Sequence, residues 1–488
     1  MEMKMNRFVH VRSVIRHEFE LMFADRRIIA SVALLLLVTS IGILSGLTHL
    51  RHRLSTIEAL QANERNRHES IRLDLSAPMN DSTRKWASSF DSRSPAVVGG
   101  QRGSSFAILP PTPLTVLAIG QSDLQPTSFR ISTDSFRKIL DEDEIANPGH
   151  LLSGRIDLGF AMIVLYPLVI LAISYDMLSS EKEAGTLVLL MSQPIRLSDV
   201  IFGKVIARFL AISAGTFMIA IAVLAFGVED ARDASTLIRW ALWVAFLILY
   251  GAIWFGISVA ANLRGSSSAS NALILSASWL MLVLILPTMI NLVTTSAYPI
   301  PSRIALVQAT RQAAIDVSEE GSRTLAEYFE DHPELSEKGE GNVDEFQVRS
   351  LATRHAIETK VQPLNDRFDS SLKRRQNLIR KAQYLSPALL AQDAIESIAG
   401  TDHVRYSEFL RQAERFHRQW QDFFVPRIAR KQLLKSDDLD DLPEFRFQER
   451  TTPESLIRLS GPAAGLIIQL AFVLSIVSRS IRRFRVVA

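Results

Sequence analysis

The sequence predicts a mainly α, six-span membrane protein with two soluble regions, the first mixed and partly extended, the second largely helical. Three observations predict it. Hydrophobic residues make up 48% of the chain alongside 22% charged residues, and the mean hydropathy is +0.15, a mixture that indicates apolar spans alternating with charged soluble parts. Apolar runs of about 20 residues, each sufficient to cross a hydrocarbon core, recur along the chain. The polar stretches between them place apolar residues at helical spacing. The 488 residues include no Cys, which removes disulfides, thiolate metal sites and Cys nucleophiles together, so any outer region must be held by core packing alone.

Residues 1–27 are basic, and Val11, Val14, Ile15, Phe19, Met22 and Phe23 recur at helical spacing. This pattern predicts an interfacial amphipathic helix rather than a plain basic flank. Residues 28–48 form the first span. The apolar run is too long for a signal peptide and no small-x-small cleavage pattern follows it, so the expectation is a retained anchor. Residues 49–156 form the first outer region. Leu54 to Leu75 favours helix, and Ser88 to Ser105 reads as a loop. Prolines 110, 111 and 113 break the apolar stretch from Phe106 to Gly120 into extended segments and turns.

The second span covers 157–177, bracketed by Asp157 and Asp176, and a polar segment at 178–203 follows it. The third span is 204–226. A short acidic loop (227–237, with Glu229, Asp230 and Asp233 against Arg232) leads to the fourth span at 238–261. The loop 262–270 is rich in small residues, and the fifth span, 271–294, carries Pro287 as a kink. Residues 295–456 form the second outer region. One stripe there is Ile357, Val361, Leu364, Phe368 and Leu372; another runs from Phe409 through Phe416 and Trp420 to Phe424. At that spacing the aromatic stripe reads as helix core rather than as a ligand surface. The sixth span is 457–478, and 479–488 is a basic tail.

Six spans put both termini on one side, and charge decides which. The N-terminal segment and the tail are strongly basic, whereas the loop after the third span is acidic, so both termini are expected in the cytoplasm. The segment 178–203 and the loop 262–270 then face the cytoplasm, and both large regions lie outside. Those regions are near neutral or acidic, so the pI near 9.1 arises from charge at the membrane and does not indicate nucleic acid.

No energy source is encoded. A phosphate-cradling Walker loop needs G-x-x-x-x-G-K-[ST]; the near match at Gly203-Lys204 is followed by Val205, and Ser198 stands where the first Gly belongs. An ion-driven transporter needs ionisable residues at mid-membrane, but Asp157, Asp176, Arg208 and Arg239 lie near span ends. His49 and His52, one turn apart, read as interfacial polar residues rather than metal ligands. Asp437, Asp438, Asp440 and Asp441 lack the Gly and terminal Glu of a calcium loop and read as a solvated acidic turn. No G-x-S-x-G elbow is present, so no hydrolase triad is supported.

What remains is the polar segment after the second span. Glu181-Lys182-Glu183-Ala184-Gly185-Thr186-Leu187, then Leu189-Leu190, Gln193-Pro194-Ile195 and Gly203-Lys204, resemble the signature of ABC-2 type permeases. Leu109-Pro110-Pro111-Thr112-Pro113-Leu114, Leu385-Ser386-Pro387-Ala388-Leu389 and the Phe409–Phe424 stretch resemble one subfamily, in which a domain of unknown function is inserted before the last span. The resemblance implies that Glu181, Lys182, Glu183, Gly185, Thr186, Pro194, Gly203 and Lys204 form the part that docks into a separate ATP-binding cassette subunit. ATP and Mg would be bound there, and this chain would hold no cofactor and not be an enzyme. It further implies pairing with a second permease subunit, like or unlike. Distant relatives serve multicopper enzyme maturation, but with no Cys and no clustered Met or His, copper is not carried over. Small and polar residues of the fifth span, Ser276, Ser278, Thr288 and Asn291, are the candidate translocation path. The competing reading is a mechanical transmitter that acts on a periplasmic or surface protein and moves no solute. A third is a membrane scaffold without an ATPase.

Overall fold

The structure is a computed structural model that describes residues 2–77, 92–120, 122–134, 136, 157–192, 197–226, 233–265, 267–300, 303–320, 330, 344–430 and 432–483. Pro194 with its neighbours Gln193 and Ile195, the loop residues Glu229, Asp230 and Arg232, and the start of the Ser88–Ser105 stretch lie outside the described residues.

Helix α1 (Glu2–Ala24) ends at Asp25, whose carboxylate accepts the Arg27 amide at 2.8 Å and starts α2 (Arg26–Ser76). Neither Gly nor Pro occurs between Arg51 and Ser76, so nothing ends the helix where its apolar run ends. The 51 residues of α2 make a rod about 75 Å long. Its lower part is a span, and its far end carries the buried Ile71 into a polar-domain core. The outer end of the bundle is the end that carries this domain, and the inner end is the opposite one.

In the first outer region, β1 (Ser105–Ile108) pairs antiparallel with β2 (Ser128–Ile131), Phe106 facing Arg130 and Ala107 facing Phe129. The prolines end β1, and a short 3-10 turn, Thr115–Leu117, packs onto the first span. A Cβ on Gly46 would lie 2.6 Å from the Val116 carbonyl oxygen, and one on Gly42 would lie 2.7 Å from the Leu158 amide nitrogen. Those two glycines let α2 pass backbone to backbone against its neighbours.

The second span is α3, built from Leu158–Phe160, a π turn at Ala161–Leu165, and Tyr166–Ser174. The fifth span, α8, repeats the device: Ser268–Trp279, a π turn at Leu280–Ile285, then Leu286–Ala297. Each π turn precedes a proline, Pro167 or Pro287, which lacks an N–H and crowds the preceding turn. Carbonyls within the π turns gain outside donors. The Tyr250 hydroxyl donates to Ile163 O at 2.8 Å, Trp279 Nε1 to Val164 O at 3.0 Å, and the Ser386 hydroxyl to Leu282 O at 2.7 Å. Pro287 thus marks a register shift stitched to the rest of the bundle rather than a simple kink.

Short helices α4 (Ser179–Glu183) and α5 (Thr186–Met191) follow α3, then α6 (Leu197–Phe226) and α7 (Ala234–Arg264), the third and fourth spans. The second outer region holds α9 (Arg303–Glu319), α10 (Asp344–Ala382), α11 (Pro387–Ala399) and α12 (His403–Ala429); the sixth span is α13 (Thr452–Arg483). Among the described residues six helical stretches are long and apolar enough to cross a membrane. The protein is mainly α and multi-span, as the sequence predicts.

The aromatic stripe is buried. Phe409, Phe416, Trp420 and Phe424 of α12 pack with Phe129, Ile131 and Ile71 into the polar-domain core, and Trp420 Nε1 donates to Gly99 O at 2.9 Å. Burial pushes the His417 imidazole below its usual pKa in the same core. The stripe Ile357, Val361 and Leu364 of α10 packs against Leu306 and Ala313 of α9. Helix α11 is different. Its buried Leu390, Ala394, Ile395 and Ile398 belong to the core of the spans, not to the polar domain. Its N-cap Ser386 reaches Leu282 in the fifth span, while Glu396, near its other end, meets Gly120. Burial, with Asp393, Asp402 and Asp157 nearby, raises the Glu396 carboxyl to about 7.

Candidate functional site

The inner end of the bundle is built around the polar turn after α3. The chain leaves Ser174, turns through 175–178, and makes the single helical turn α4. A buried amide lock holds the turn. Asn262, near the end of α7, is fully buried. Its Nδ2 donates to Ser174 O at 2.9 Å and Ser258 O at 3.0 Å, and its Oδ1 accepts the Leu178 amide at 3.1 Å. Asn271 of α8, also fully buried, donates to Tyr175 O at 3.2 Å and to Asn262 Oδ1 at 3.3 Å. The hydroxyls of Ser258 and Ser174 close the set at 2.6 Å. The Asn262 amide has both its nitrogen and its oxygen bonded, whereas Asn271 Oδ1 has no partner among the described residues, so a slip at Asn262 would leave further buried polar groups unpaired.

Three consecutive charges of α4 then reach three different spans. Glu181 Oε1 pairs with Lys204 Nζ of α6 at 2.7 Å. Lys182 Nζ points at the last carbonyls around the end of α7, 3.5 Å from Asn262 O and 3.4 Å from Gly265 O. Glu183 takes the Ser268 amide at 2.7 Å and the Ser268 hydroxyl at 2.9 Å, at the first turn of α8. A cation at a helix C-terminus and an anion at a helix N-terminus each match the helix dipole. Adjacent α4 residues point about 100° apart, so Lys182 and Glu183 straddle the junction where α7 ends and α8 begins.

Behind Glu181 lies a buried ion network that joins α1 to the spans. Glu18 is 2% exposed. It meets Arg208 of α6 at 2.5 Å and Lys204 at 3.5 Å. Arg208 also lies 3.6 Å from Asp176 and donates to Ile173 O, while Lys204 donates to Met177 O at 3.1 Å. Arg27 adds Tyr175 Oη at 2.8 Å. Helix α1, the third span and the turn before α4 are thus tied through Glu18, Lys204 and Arg208, three charges that share almost no water, with the exposed Arg27 at the edge.

What stays open is the tip beyond α4. Gly185 has φ +71, the left-handed conformation that ends a short helix and favours glycine. Nothing lies within 4 Å of a Cβ placed there, so the backbone, not packing, demands Gly. Glu183, Ala184, Gly185 and Thr186 are exposed, Leu187 is buried as an anchor, and Leu189 presents an apolar side chain at 70% exposure. Gly203 and Lys204, predicted with this surface, are buried inside α6. Glu181 and Lys204 therefore face each other rather than a surface, and Lys182 faces α7.

The fifth-span residues do not converge. Ser276, Thr288 and Asn291 are exposed and Ser278 half-buried. The hydroxyls of Ser278 and Thr288 donate to their own helix at 2.8 and 2.7 Å, and Asn291 Oδ1 accepts Arg375 at 2.9 Å. Among the described residues no group of three or more His, Asp or Glu side chains is arranged to hold a metal ion. His49 is buried and His52 exposed, while Asp440 pairs with Arg72 and Asp438 caps Lys435.

Comparison with known proteins gives two similarities. Residues 303–448 match a protein family described only as a domain of unknown function, DUF3526. Over 112 residues, 22% of the chain, the sequence is 29% identical to a Pseudomonas aeruginosa protein named as the probable ABC transporter permease protein NosY. The match spans 40% of that protein's length.

Proposed function

We propose that this chain is the membrane-spanning subunit of an ATP-binding cassette complex of the ABC-2 type, with the tip from Ala184 to Leu189 as the docking element for a separate ATPase subunit. The observation that carries the reading is the clamp beneath the tip, in which Glu181, Lys182 and Glu183 reach the third, fourth and fifth spans in turn. A displacement of the exposed tip is shared among three spans at once, and through Lys204 and Glu18 with the interfacial helix. A conformational change needs an input that favours one arrangement over another. ATP and Mg bound by the partner would supply it, in the cytoplasm, with a second permease subunit completing the complex in a bacterial inner membrane. The weak permease similarity and the six apolar helices support this reading.

A second reading is favoured by one feature. The first span continues as an unbroken helix about 40 Å beyond Leu50, into the polar-domain core. A stiff rod of that kind would carry movement outward to a periplasmic or surface partner without any solute crossing. The fifth-span polar residues, exposed and unconverged, would line a path only against a second subunit.

Leu189→Asp separates docking from folding, because Leu189 is 70% exposed and its loss removes little packing. Co-expressed with its ATPase subunit, the variant should reach the membrane at the wild-type level and retain less than a tenth of the co-purifying subunit. Undiminished co-purification removes the tip from the docking surface.

A further inference from the structure

We infer that the inner ends of α7 and α13 form a binding site for one anionic glycerophospholipid. Arg264 closes α7, and Arg479 and Arg483 lie one turn apart near the end of α13. All three line a cavity of about 310 Å³ whose other walls are Leu263 and Ser480. Ser480 is only 8% exposed, yet its hydroxyl makes no hydrogen bond among the described residues. None of the three guanidiniums makes an ion pair or hydrogen bond there either. Three like charges gathered from two helices around one cavity repel one another unless an anion joins them, and Arg is the side chain whose donor fork suits a phosphate.

The surroundings decide which phosphate. On α13 the face that carries Arg483 and Arg479 continues, at spacings of three and four residues, through Ile476 to Phe472 and Ile468. Phe472 is 64% and Ile468 68% exposed. From Arg479 to Ile468 the track is about 16 Å long, close to one leaflet of hydrocarbon. A cationic cavity at the foot of an exposed apolar track one leaflet long has the shape of a lipid with a phosphate head and an acyl chain. Free phosphate would leave the track unused, and an acidic protein surface would have no need of it. Basic pockets between spanning helices are recognised head-group sites. The site rests on the membrane-spanning reading above and not on the ATPase partner.

The test uses the full-length chain in a neutral detergent, without an ATPase subunit. Thermal stability and native mass spectrometry are followed while phosphatidylglycerol, phosphatidylcholine or inorganic phosphate is added. Phosphatidylglycerol should raise the melting temperature and stay bound at one copy per chain, with phosphatidylcholine and inorganic phosphate giving neither effect. At roughly fivefold per arginine near a membrane surface, Arg264→Gln with Arg479→Gln and Arg483→Gln should weaken that binding at least tenfold. The melting temperature in phosphatidylcholine should stay unchanged, because the replaced side chains are exposed. The single variant Arg479→Gln should weaken binding by an intermediate factor. Arg482→Gln, on the same tail but outside the cavity, should leave it unchanged. Equal stabilisation by phosphatidylcholine or by inorganic phosphate, or an Arg482→Gln loss as large as that of the triple variant, overturns the site. So does a triple variant that keeps the lipid but loses a co-expressed ATPase subunit. Failure of lipid binding leaves the docking of Leu189 untouched, and failure of docking leaves the lipid result untouched.

Discussion

Replacing Glu18 with Ala should destabilise the folded chain by roughly 3–5 kcal/mol, the cost of leaving buried charge without its partner. Lys204 and Arg208 are 6% and 7% exposed, and Glu18 is the carboxylate that both contact from α1. Without it, Arg208 keeps only the more distant Asp176 and the Ile173 carbonyl, and Lys204 keeps Glu181. The expected result is a large fall in melting temperature in detergent and release of α1, read as new protease sensitivity within residues 2–24. Glu18→Leu combined with Lys204→Met and Arg208→Met should recover part of the stability, since buried ions exchanged for apolar side chains are often neutral, while Glu181 and Asp176 lose their cations at partly exposed positions. That triple variant should still fail to transmit, because α1 would no longer be tied by charge to the turn before α4. A Glu18→Ala protein as stable as the wild type would show that water reaches the network.

The second large effect is expected at Asn262. Asn262→Leu keeps the volume but removes four hydrogen bonds, leaving the buried Leu178 amide and the Asn271 side chain short of a partner. Each orphaned buried group costs about 1–3 kcal/mol, so a loss of roughly 2–5 kcal/mol is expected. The functional loss should exceed the loss of stability. At a temperature where the variant remains folded, an ATPase subunit bound to it should hydrolyse ATP at a rate no longer altered by the membrane subunit. Asn262→Asp should retain the acceptor contacts and lie between the two. If Asn262→Leu loses stability but preserves coupling, the amide lock is a packing element and transmits nothing.

These two sites differ in how far the sequence exposes them. Glu18 is legible: Ile15, Glu18 and Met22 share the apolar face of α1, and a carboxylate on such a face demands a cation. Lys204 and Arg208, one turn apart at the start of a span, are the matching signal. Asn262 carries no comparable mark, because a lone Asn among small residues reads as loop, and only the approach of Ser174 and Leu178 gives it work. The spans themselves are plain from apolar length. The continuation of α2 to Ser76 follows from the lack of a helix breaker, but an apolar boundary at Leu50 invites an earlier stop. Pro287 is visible as an interruption, whereas the Ser386 hydroxyl that meets the Leu282 carbonyl is more than a hundred residues away in sequence. Glu181, Lys182 and Glu183 stand out as a charged patch, and such a patch reads naturally as outward-facing. Their partners depend on where α7 ends and α8 begins in space, which no local pattern encodes.

The proposed arrangement puts the tip around Leu189 in the cytoplasm against an ATPase subunit, with the polar domain on the other side of the membrane. The chain has no Cys, so a single one placed anywhere is a unique probe. Leu189→Cys and Leu433→Cys both replace exposed side chains, 70% and 53% respectively, one at the tip and one in the polar domain. In spheroplasts an impermeant maleimide should label Leu433→Cys at once and Leu189→Cys only after the membrane is opened. A short bifunctional reagent should then join Leu189→Cys, and not Leu433→Cys, to the co-expressed ATPase subunit. Labelling of Leu189→Cys in sealed spheroplasts, or an ATPase adduct formed from position 433, would rule that arrangement out.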